Sequence, residues 1–349
     1  MLLHDRSQPH SKPKRVATVR CVADSVSVLA PARLHMGFVD LSGSLGRRFG
    51  SVGLTLDGIG VSLTAHLALG VSASGPQAER AERYAQALAS HLHLADGVRI
   101  EVQQVIPEHV GLGSGTQLGL AVGLALVRLH SLDLTPRKVA ALHERGQRSG
   151  IGVAAFESGG FLLDGGRGSR DEPPPVVARA EFPERWRVLL IQDDAVQGLH
   201  GMREMQAFQA LGPFPDALAA HLCRLMLMQI LPALLEQDLD AFGRGIAQLQ
   251  REVGDYFAPA QGGRYASRGV GEVLRWLEEQ GVAGVGQSSW GPTGFGIVGS
   301  EQHARALERS ARERWPDASG LRFAVLSARN RGGEVHAAAD AQRAAAVRL

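Results

Sequence analysis

Cysteine is almost absent from this chain: of 349 residues only Cys21 and Cys223 carry a thiol, and they form no CxxC pair. That excludes a thiolate zinc centre and a disulfide framework, and it fits a reducing cytoplasm. An excess of either charge is missing too. The 37 basic and 35 acidic side chains leave a formal net charge of +2. Such balance argues against nucleic acid or a membrane surface as partner, and no RNA-binding, zinc-finger or basic-region signature is present. Nor is there a long apolar run. Residues 118–127 make the longest, far short of the roughly 20 needed to span a bilayer. The first residues, MLLHDRSQPHSKPKR, lack the apolar segment of a secretory signal. They predict a polar, disordered arm over residues 1–22.

Glycine is what the chain has in excess: 43 of 349 residues, roughly 12% against an average of about 7%. The glycines gather at a few loops, a sign of backbone approaching a ligand. A composition of 44% apolar and 21% charged residues is that of an ordinary globular protein, and the length suits two domains. The connector DEPPP at 171–175 predicts the boundary, with one domain over 23–172 and a second over 176–349.

Alternation predicts strands at 25–29, turning at Pro31, and at 61–67, where Val61, Leu63, Ala65 and Leu67 share one face. Further strands are expected at 98–102, 161–163, 186–192 and 322–327. Spacing and caps predict helices at 81–94, 116–129, from Thr135 with Pro136 in its first turn, 216–235, 239–252, 270–280 and 301–314. Residues 149–166 read as a glycine-punctuated stretch around the strand at 161–163. Strands and helices mix without regular βαβ repetition, so the class is α+β.

A strand, a glycine-rich loop and a helix in succession make an anion site, because backbone N–H groups turn inward at the positive end of the helix. The loop PEHVGLGSGTQ at 107–117 fits that description, with Gly111, Gly113, Ser114, Gly115 and Thr116 expected to hold phosphate. The hydroxyl of Ser114 or Thr116 can also reach a metal ion. No GK[ST] follows, so this is not a Walker A loop. A helix entry that needs glycine only for packing is the bland alternative.

Three segments in order, PARLHMGFVDL, PEHVGLGSGTQ and GVGQSSWGPTGFG, resemble the three signature motifs of the GHMP kinase superfamily. The middle one carries most: Pro107, Gly111, Leu112, Gly113 and Ser114 fall on the pattern P-x-x-x-G-L-G-S-S-A-A. The resemblance covers nearly all the chain after residue 25. It implies an N-terminal α+β domain, a ferredoxin-like C-terminal domain and a site in the cleft between them.

Several positions depart from the kinase pattern. Gly115, Thr116 and Gln117 replace S-A-A. Kinases of the family with a catalytic aspartate carry S-G-x-D followed by G-G. Here Ser149, Gly150, Gly159 and Gly160 match, but the aspartate position is Gly152, leaving no carboxylate there to orient an acceptor hydroxyl. Gln287, Ser288, Ser289 and Trp290 stand where small residues are usual. In these departures, and in R-L-H-x-G-F-x-D, E-S-G-G-F and G-L-H-G, the chain is similar to one branch, the beta-ribofuranosylaminobenzene 5'-phosphate synthases. That resemblance implies a transferase of methanopterin-type coenzyme biosynthesis. It would condense phosphoribosyl pyrophosphate with p-aminobenzoate or 4-hydroxybenzoate, releasing CO2 and pyrophosphate. It also implies Mg2+ or another divalent cation, no organic cofactor, a cytoplasmic location and the option of a homodimer. An ATP-dependent small-molecule kinase and a non-catalytic binding protein on the same scaffold are the alternatives.

Individual roles stay open. Arg33 and His35 contact substrate phosphate or carboxylate, or satisfy loop carbonyls. Asp40 binds a ribose hydroxyl or metal, or caps a turn. Glu157 is the first choice of metal carboxylate beside Ser114, with a structural hydrogen bond as the alternative. Arg145 and Arg148 reach phosphate or serve a helix end. Gln287, Ser288 and Ser289 are substrate-binding candidates, and Trp290 stacks on an aromatic acceptor or packs. His200 joins His35 and Glu157 as a catalytic candidate. Asp193 and Asp194 form a ribose-binding loop or a solvated turn, and His91 and His93 face solvent.

Overall fold

A computed structural model describes residues 23–198, 209–289 and 291–338. The expected arm, His200 and Trp290 therefore lie outside the described residues. The first half is built on two long antiparallel strands, β1 (Ser25–Asp40) and β2 (Gly50–Ala68). Strand β4 (Gly97–Gln104) adds to β2, and the short β3 (Ser72–Ser74) lies parallel to β4. Helix α1 (Ala78–His91) lies between β3 and β4 in sequence. After the glycine loop come α2 (Ser114–Leu129), α3 (Pro136–Leu142) and α4 (Ile151–Glu157).

Helix α2 is the core helix of this half. Its residues from Gln117 to Val127 are all buried, which is why its sequence is apolar all round. Thr135 caps α3 as expected, its side chain accepting from the Lys138 N–H. The stretch before residue 160 is not merely a loop: Ile151, Val153, Ala154, Ala155 and Phe156 are buried and form α4. Its glycine hid a helix whose stability comes from packing instead of propensity.

The strand expected to end near Pro31 continues to Asp40. Its pairing with β2 shifts after Pro31, after His35 and after Phe38. Bulges of this kind absorb a proline that cannot donate and re-aim the side chains beyond it. Through them Arg33 and His35 reach the glycine loop.

Strand β5 (Phe161–Asp164) pairs with β2, and β6 (Val176–Ala180) with β5. The chain thus leaves this sheet only after Ala180. It returns at β11 (Glu334–Ala338), which pairs with β1. Two strands of this first sheet, β6 and β11, thus lie beyond the connector at 171–175.

The second half holds β7 (Arg187–Asp193), α5 (Asp216–Leu225), α6 (Leu231–Leu235), α7 (Leu239–Gln261) and α8 (Arg268–Glu279). They are followed by β8 (Gly284–Gln287), β9 (Gly294–Val298), α9 (Glu301–Arg314) and β10 (Leu321–Leu326). Its sheet is antiparallel in the order β10-β7-β9-β8, the ferredoxin-like arrangement. A π-helical turn at Met226–Ile230 joins α5 to α6 ahead of Pro232, absorbing a residue that cannot continue the α ladder. By length and composition, 216–235 is the one described stretch apolar enough to cross a membrane. It packs on β1 and α7.

Candidate active site

The glycine loop is held in shape by backbone that only glycine adopts easily. Gly111 and Gly113 have φ of 87° and 89°, and Gly113 is the residue from which α2 starts. The loop docks on its neighbours through its own carbonyls. Arg33 donates its N–H to the Leu112 carbonyl at 3.1 Å and its guanidinium to the Gly111 carbonyl at 2.6 Å. The Ser288 hydroxyl donates to the same Gly111 carbonyl at 2.8 Å and accepts from the His35 N–H at 2.9 Å. The Ser289 N–H returns to the His35 carbonyl at 2.9 Å. Three segments more than 70 residues apart in sequence meet here, as the motif order requires.

Two further arginines flank the loop. A methyl group added at Gly115 would stand 2.6 Å from the Arg80 guanidinium and 3.5 Å from that of Arg145. Arg145 donates to the Tyr84 hydroxyl at 2.7 Å, and Tyr84 reaches the Gly115 carbonyl at 3.3 Å. The Arg145 Nε is buried without a hydrogen-bond partner among the described residues. Arg80 pairs with Glu108 at 2.5 Å. Arg33, Arg80 and Arg145 thus lie around the start of α2, whose first N–H groups have no partner within the helix, an arrangement that suits an anion. Sequence reasoning found Arg33 and Arg145. It missed Arg80 and Tyr84, which sit on α1 with no local signal and meet the loop only through folding.

The position where kinases of this fold carry an aspartate is closed. A Cβ on Gly152 would lie 3.1 Å from the Thr116 Cγ2, and the Gln117 amide donates to the Gly152 carbonyl at 2.7 Å. Thr116 and Gln117, larger than the alanines of the kinase pattern, occupy the ground in front of the missing carboxylate. One departure in the loop and one in α4 are a single packing solution.

Several candidates are placed elsewhere. Glu157 ends α4 in an ion pair with Arg137 at 3.5 Å. Burial raises its pKa and Arg137 opposes that. Asp40 accepts from the Ser42 N–H and hydroxyl, both at 2.8 Å, which is the turn-capping alternative. Arg148 is half-buried in the turn ahead of α4. Asp193 accepts from Ser267 at 2.5 Å and Asp194 pairs with Arg322, a structural use in place of a ribose loop. His91 and His93 are exposed, as expected. The Gln287 N–H donates to Gln250, its amide donates to the Ser289 carbonyl at 2.9 Å and its carbonyl accepts from Ala266 at 2.6 Å. It shapes the third motif. Among the described residues no three His, Cys, Asp or Glu side chains gather as a metal cage.

Asp164 is a residue that sequence reasoning passed over. Buried, it accepts from Ser51, Ser149 and the N–H groups of Gly150 and Gly166. These bonds fix the turn into α4 behind the loop. Burial nonetheless raises its pKa.

His35 is 2% exposed, and burial, reinforced by the Arg33 charge, lowers its pKa to about 3. Burial and then Arg145 lower that of His143 to about 4. Both bind protons more readily unfolded, where 6.5 is the ordinary value, so each destabilises the fold as pH falls from 6.5 toward 4. The full effect of His35 alone, reached near pH 3, is on the order of 5 kcal/mol. Urea midpoints should therefore fall steeply between pH 6.5 and pH 4. His35→Phe should flatten that slope, and an unchanged slope would contradict the assignment.

Comparison with known proteins agrees with this arrangement. Residues 79–160 match the GHMP kinases N terminal domain and residues 230–317 the GHMP kinases C terminal family. A beta-ribofuranosylphenol 5'-phosphate synthase from Archaeoglobus fulgidus is 38% identical over 319 residues, covering 87% of this chain and 97% of that protein. One from Methanothermobacter thermautotrophicus is 32% identical over 338 residues, covering 86% and 96%. Among solved structures, homoserine kinase from Cytophaga hutchinsonii superposes with a TM-score of 0.64 at 19% identity, covering 91% of this chain and 99% of that one.

Proposed function

This chain belongs to the beta-ribofuranosylphenol 5'-phosphate synthase family on the GHMP kinase fold, and from that premise we propose how its loop and arginines carry the reaction. The substrates are phosphoribosyl pyrophosphate and a para-substituted benzoate. The relatives' name contains a phenol, which favours 4-hydroxybenzoate over p-aminobenzoate as acceptor. The product is a precursor of a methanopterin-type coenzyme, made in the cytoplasm.

One observation carries the reading: an intact anion loop ringed by Arg33, Arg80 and Arg145 faces a Gly152 position that Thr116 has closed. A kinase needs a group to orient an acceptor hydroxyl; a pyrophosphate-leaving reaction needs only charge stabilisation and alignment. The diphosphate lies on the amides of Gly113, Ser114 and Gly115, with Thr116 behind them. As the C1–O bond breaks, its electron pair leaves with the diphosphate, and the three guanidinium groups stabilise the charge gathered there. The ring carbon bearing the carboxylate forms the new C–C bond to C1, assisted by electron donation from the para hydroxyl. The bond to the carboxylate then breaks, CO2 departs, and its electron pair restores the aromatic ring. No proton is consumed, so no base is required.

A divalent cation, Mg2+ or another, fits this site when it comes with the diphosphate, because among the described residues the site offers the Ser114 hydroxyl and no cage of three His, Cys, Asp or Glu side chains. When bound it neutralises leaving-group charge.

The test combines phosphoribosyl pyrophosphate, Mg2+ and carboxyl-labelled 4-hydroxybenzoate or p-aminobenzoate, with and without ATP. Labelled CO2 released without ATP is the expected result. A phosphorylated acceptor formed only with ATP, or no reaction with either acid, would overturn it. Arg145→Met should raise the KM for phosphoribosyl pyrophosphate at least tenfold and leave that for the benzoate within about twofold.

A further inference from the structure

Arg80 and Arg145 reach one point from two parts of the chain: the Cβ that Gly115 lacks would stand 2.6 Å from Nη2 of the first and 3.5 Å from Nη1 of the second. Like charges gathered this closely repel, so each guanidinium needs something else to hold it. Glu108 holds Arg80 at 2.5 Å and offsets its charge. Arg145 is held by an uncharged group. Its Nη2 donates to the Tyr84 hydroxyl at 2.7 Å, and that hydroxyl donates in turn to the Gly115 carbonyl at 3.3 Å. Both guanidinium groups also lie against the Tyr84 ring, with Cζ 5.8 Å (Arg80) and 5.6 Å (Arg145) from its centroid, a distance at which the π face attracts a cation.

The Tyr84 bond decides where Arg145 points. A guanidinium is planar and rigid, so an Nη2 fixed on Tyr84 sets Nη1 beside Gly115, in the first turn of α2. The Arg145 Nε is buried without a hydrogen-bond partner among the described residues, so Tyr84 supplies the hydrogen bond that anchors the side chain. An uncharged acceptor suits this place. A carboxylate would hold Arg145 as firmly, but it would also offset the charge that a diphosphate calls for, as Glu108 does for Arg80. The hydroxyl holds the group and leaves its charge. The His143 ring meets that of Tyr84 edge on at 5.0 Å. Its pKa, lowered to about 4 first by burial and then by Arg145, keeps it neutral near pH 7, so it adds no third cation.

Resting on the reading above, we infer that Tyr84 is a positioning residue of the diphosphate site: its hydroxyl fixes the Arg145 guanidinium beside the first turn of α2, and it acts on phosphoribosyl pyrophosphate only through that arginine. Tyr84 touches no reacting atom. Folding alone sets the contact, since Tyr84 on α1 and Arg145 beyond α3 meet at a loop that lies between them in sequence. The arrangement serves the anion, so binding of the benzoate is indifferent to it.

The test uses the full-length protein with two probes, phosphoribosyl pyrophosphate in turnover and magnesium pyrophosphate in calorimetry. Tyr84→Phe removes the hydroxyl and keeps the ring. It should raise the KM for phosphoribosyl pyrophosphate about fivefold, the scale of one hydrogen bond, while the benzoate KM stays within about twofold and the urea midpoint holds. In an Arg145→Met background the same change should add less than about twofold, because the group it positions is gone. A direct action of the hydroxyl on the Gly115 carbonyl would give the same factor with and without Arg145. A merely structural role would move both KM values together with the midpoint. Either result overturns the assignment. If the wild type turns over but Tyr84→Phe keeps the phosphoribosyl pyrophosphate KM within about twofold, the positioning role fails and the proposed reaction stands. If the wild type does not turn over, the proposed reaction fails and pyrophosphate binding decides for Tyr84. A Kd raised about fivefold by Tyr84→Phe, and not raised by it in Arg145→Met, supports the role. Equal binding to the wild type and Tyr84→Phe, or binding to neither, overturns it.

Discussion

Replacing Gly111 by alanine is expected to lower kcat/KM for phosphoribosyl pyrophosphate by at least about 100-fold, the scale of losing one anion-hole donor. Two physical terms act together. The backbone at Gly111 has φ of 87°, a left-handed conformation costing an L side chain about 1–2 kcal/mol. The added Cβ would also stand 2.5 Å from the Ser288 carbonyl oxygen and 3.1 Å from the Gly291 Cα. Those are backbone atoms, so they cannot rotate away. Loop and third motif must separate, and the Gly111 carbonyl gives up its bonds from Arg33 and Ser288. Gly46→Ala is the control, because Gly46 has φ of 81° with nothing within 4 Å of a Cβ. It bears the backbone strain alone and should leave kcat/KM unchanged. Steady-state kinetics and thermal unfolding of both variants separate strain from loss of the anion site. Activity within threefold of wild type in a folded Gly111→Ala would mean the loop does not hold the diphosphate.

Much of this site is legible in the sequence because its components are local. The glycines of the loop, the start of α2 behind them and the Thr135 cap of α3 are statements about neighbouring residues, and the structure repeats them. What sequence reasoning could not reach is long-range. Arg80 and Tyr84 lie on α1 and join the loop only because α1 packs on α2. Strand β11 is separated from its partner β1 by nearly the whole chain. Glu157, the first choice of metal carboxylate in the sequence, stands at the end of α4, and its partner Arg137 comes from α3, a pairing that no local pattern announces. His35 stood out as a residue type in a motif; its burial belongs to the bulged path of β1.

Gly152→Asp, which restores the carboxylate of the kinase pattern, is expected to destabilise the protein by about 2–4 kcal/mol and to create no ATP-dependent phosphorylation. Gly152 lies inside α4 and is buried, so a carboxylate there must give up most of its water. Its Cβ would already stand 3.1 Å from the Thr116 Cγ2 and 3.4 Å from the Thr116 Cβ. Thr116 in turn sits in the first turn of α2, at the anion loop, and cannot move without disturbing the amides beside it. Kinase chemistry therefore needs both positions to change together. Thr116→Ala alone should cost about 1 kcal/mol through the space it leaves. In the double variant the threonine methyl is gone, and its loss should restore at least about 1 kcal/mol of what the aspartate removes, a coupling that denaturant midpoints of the four proteins measure. Additive effects would show that Thr116 does not occupy the ground of the missing carboxylate. The same four proteins locate the chemistry. If synthase activity falls with Gly152→Asp and returns in part in the double variant, the packing between the loop and α4 is what keeps the diphosphate site in shape.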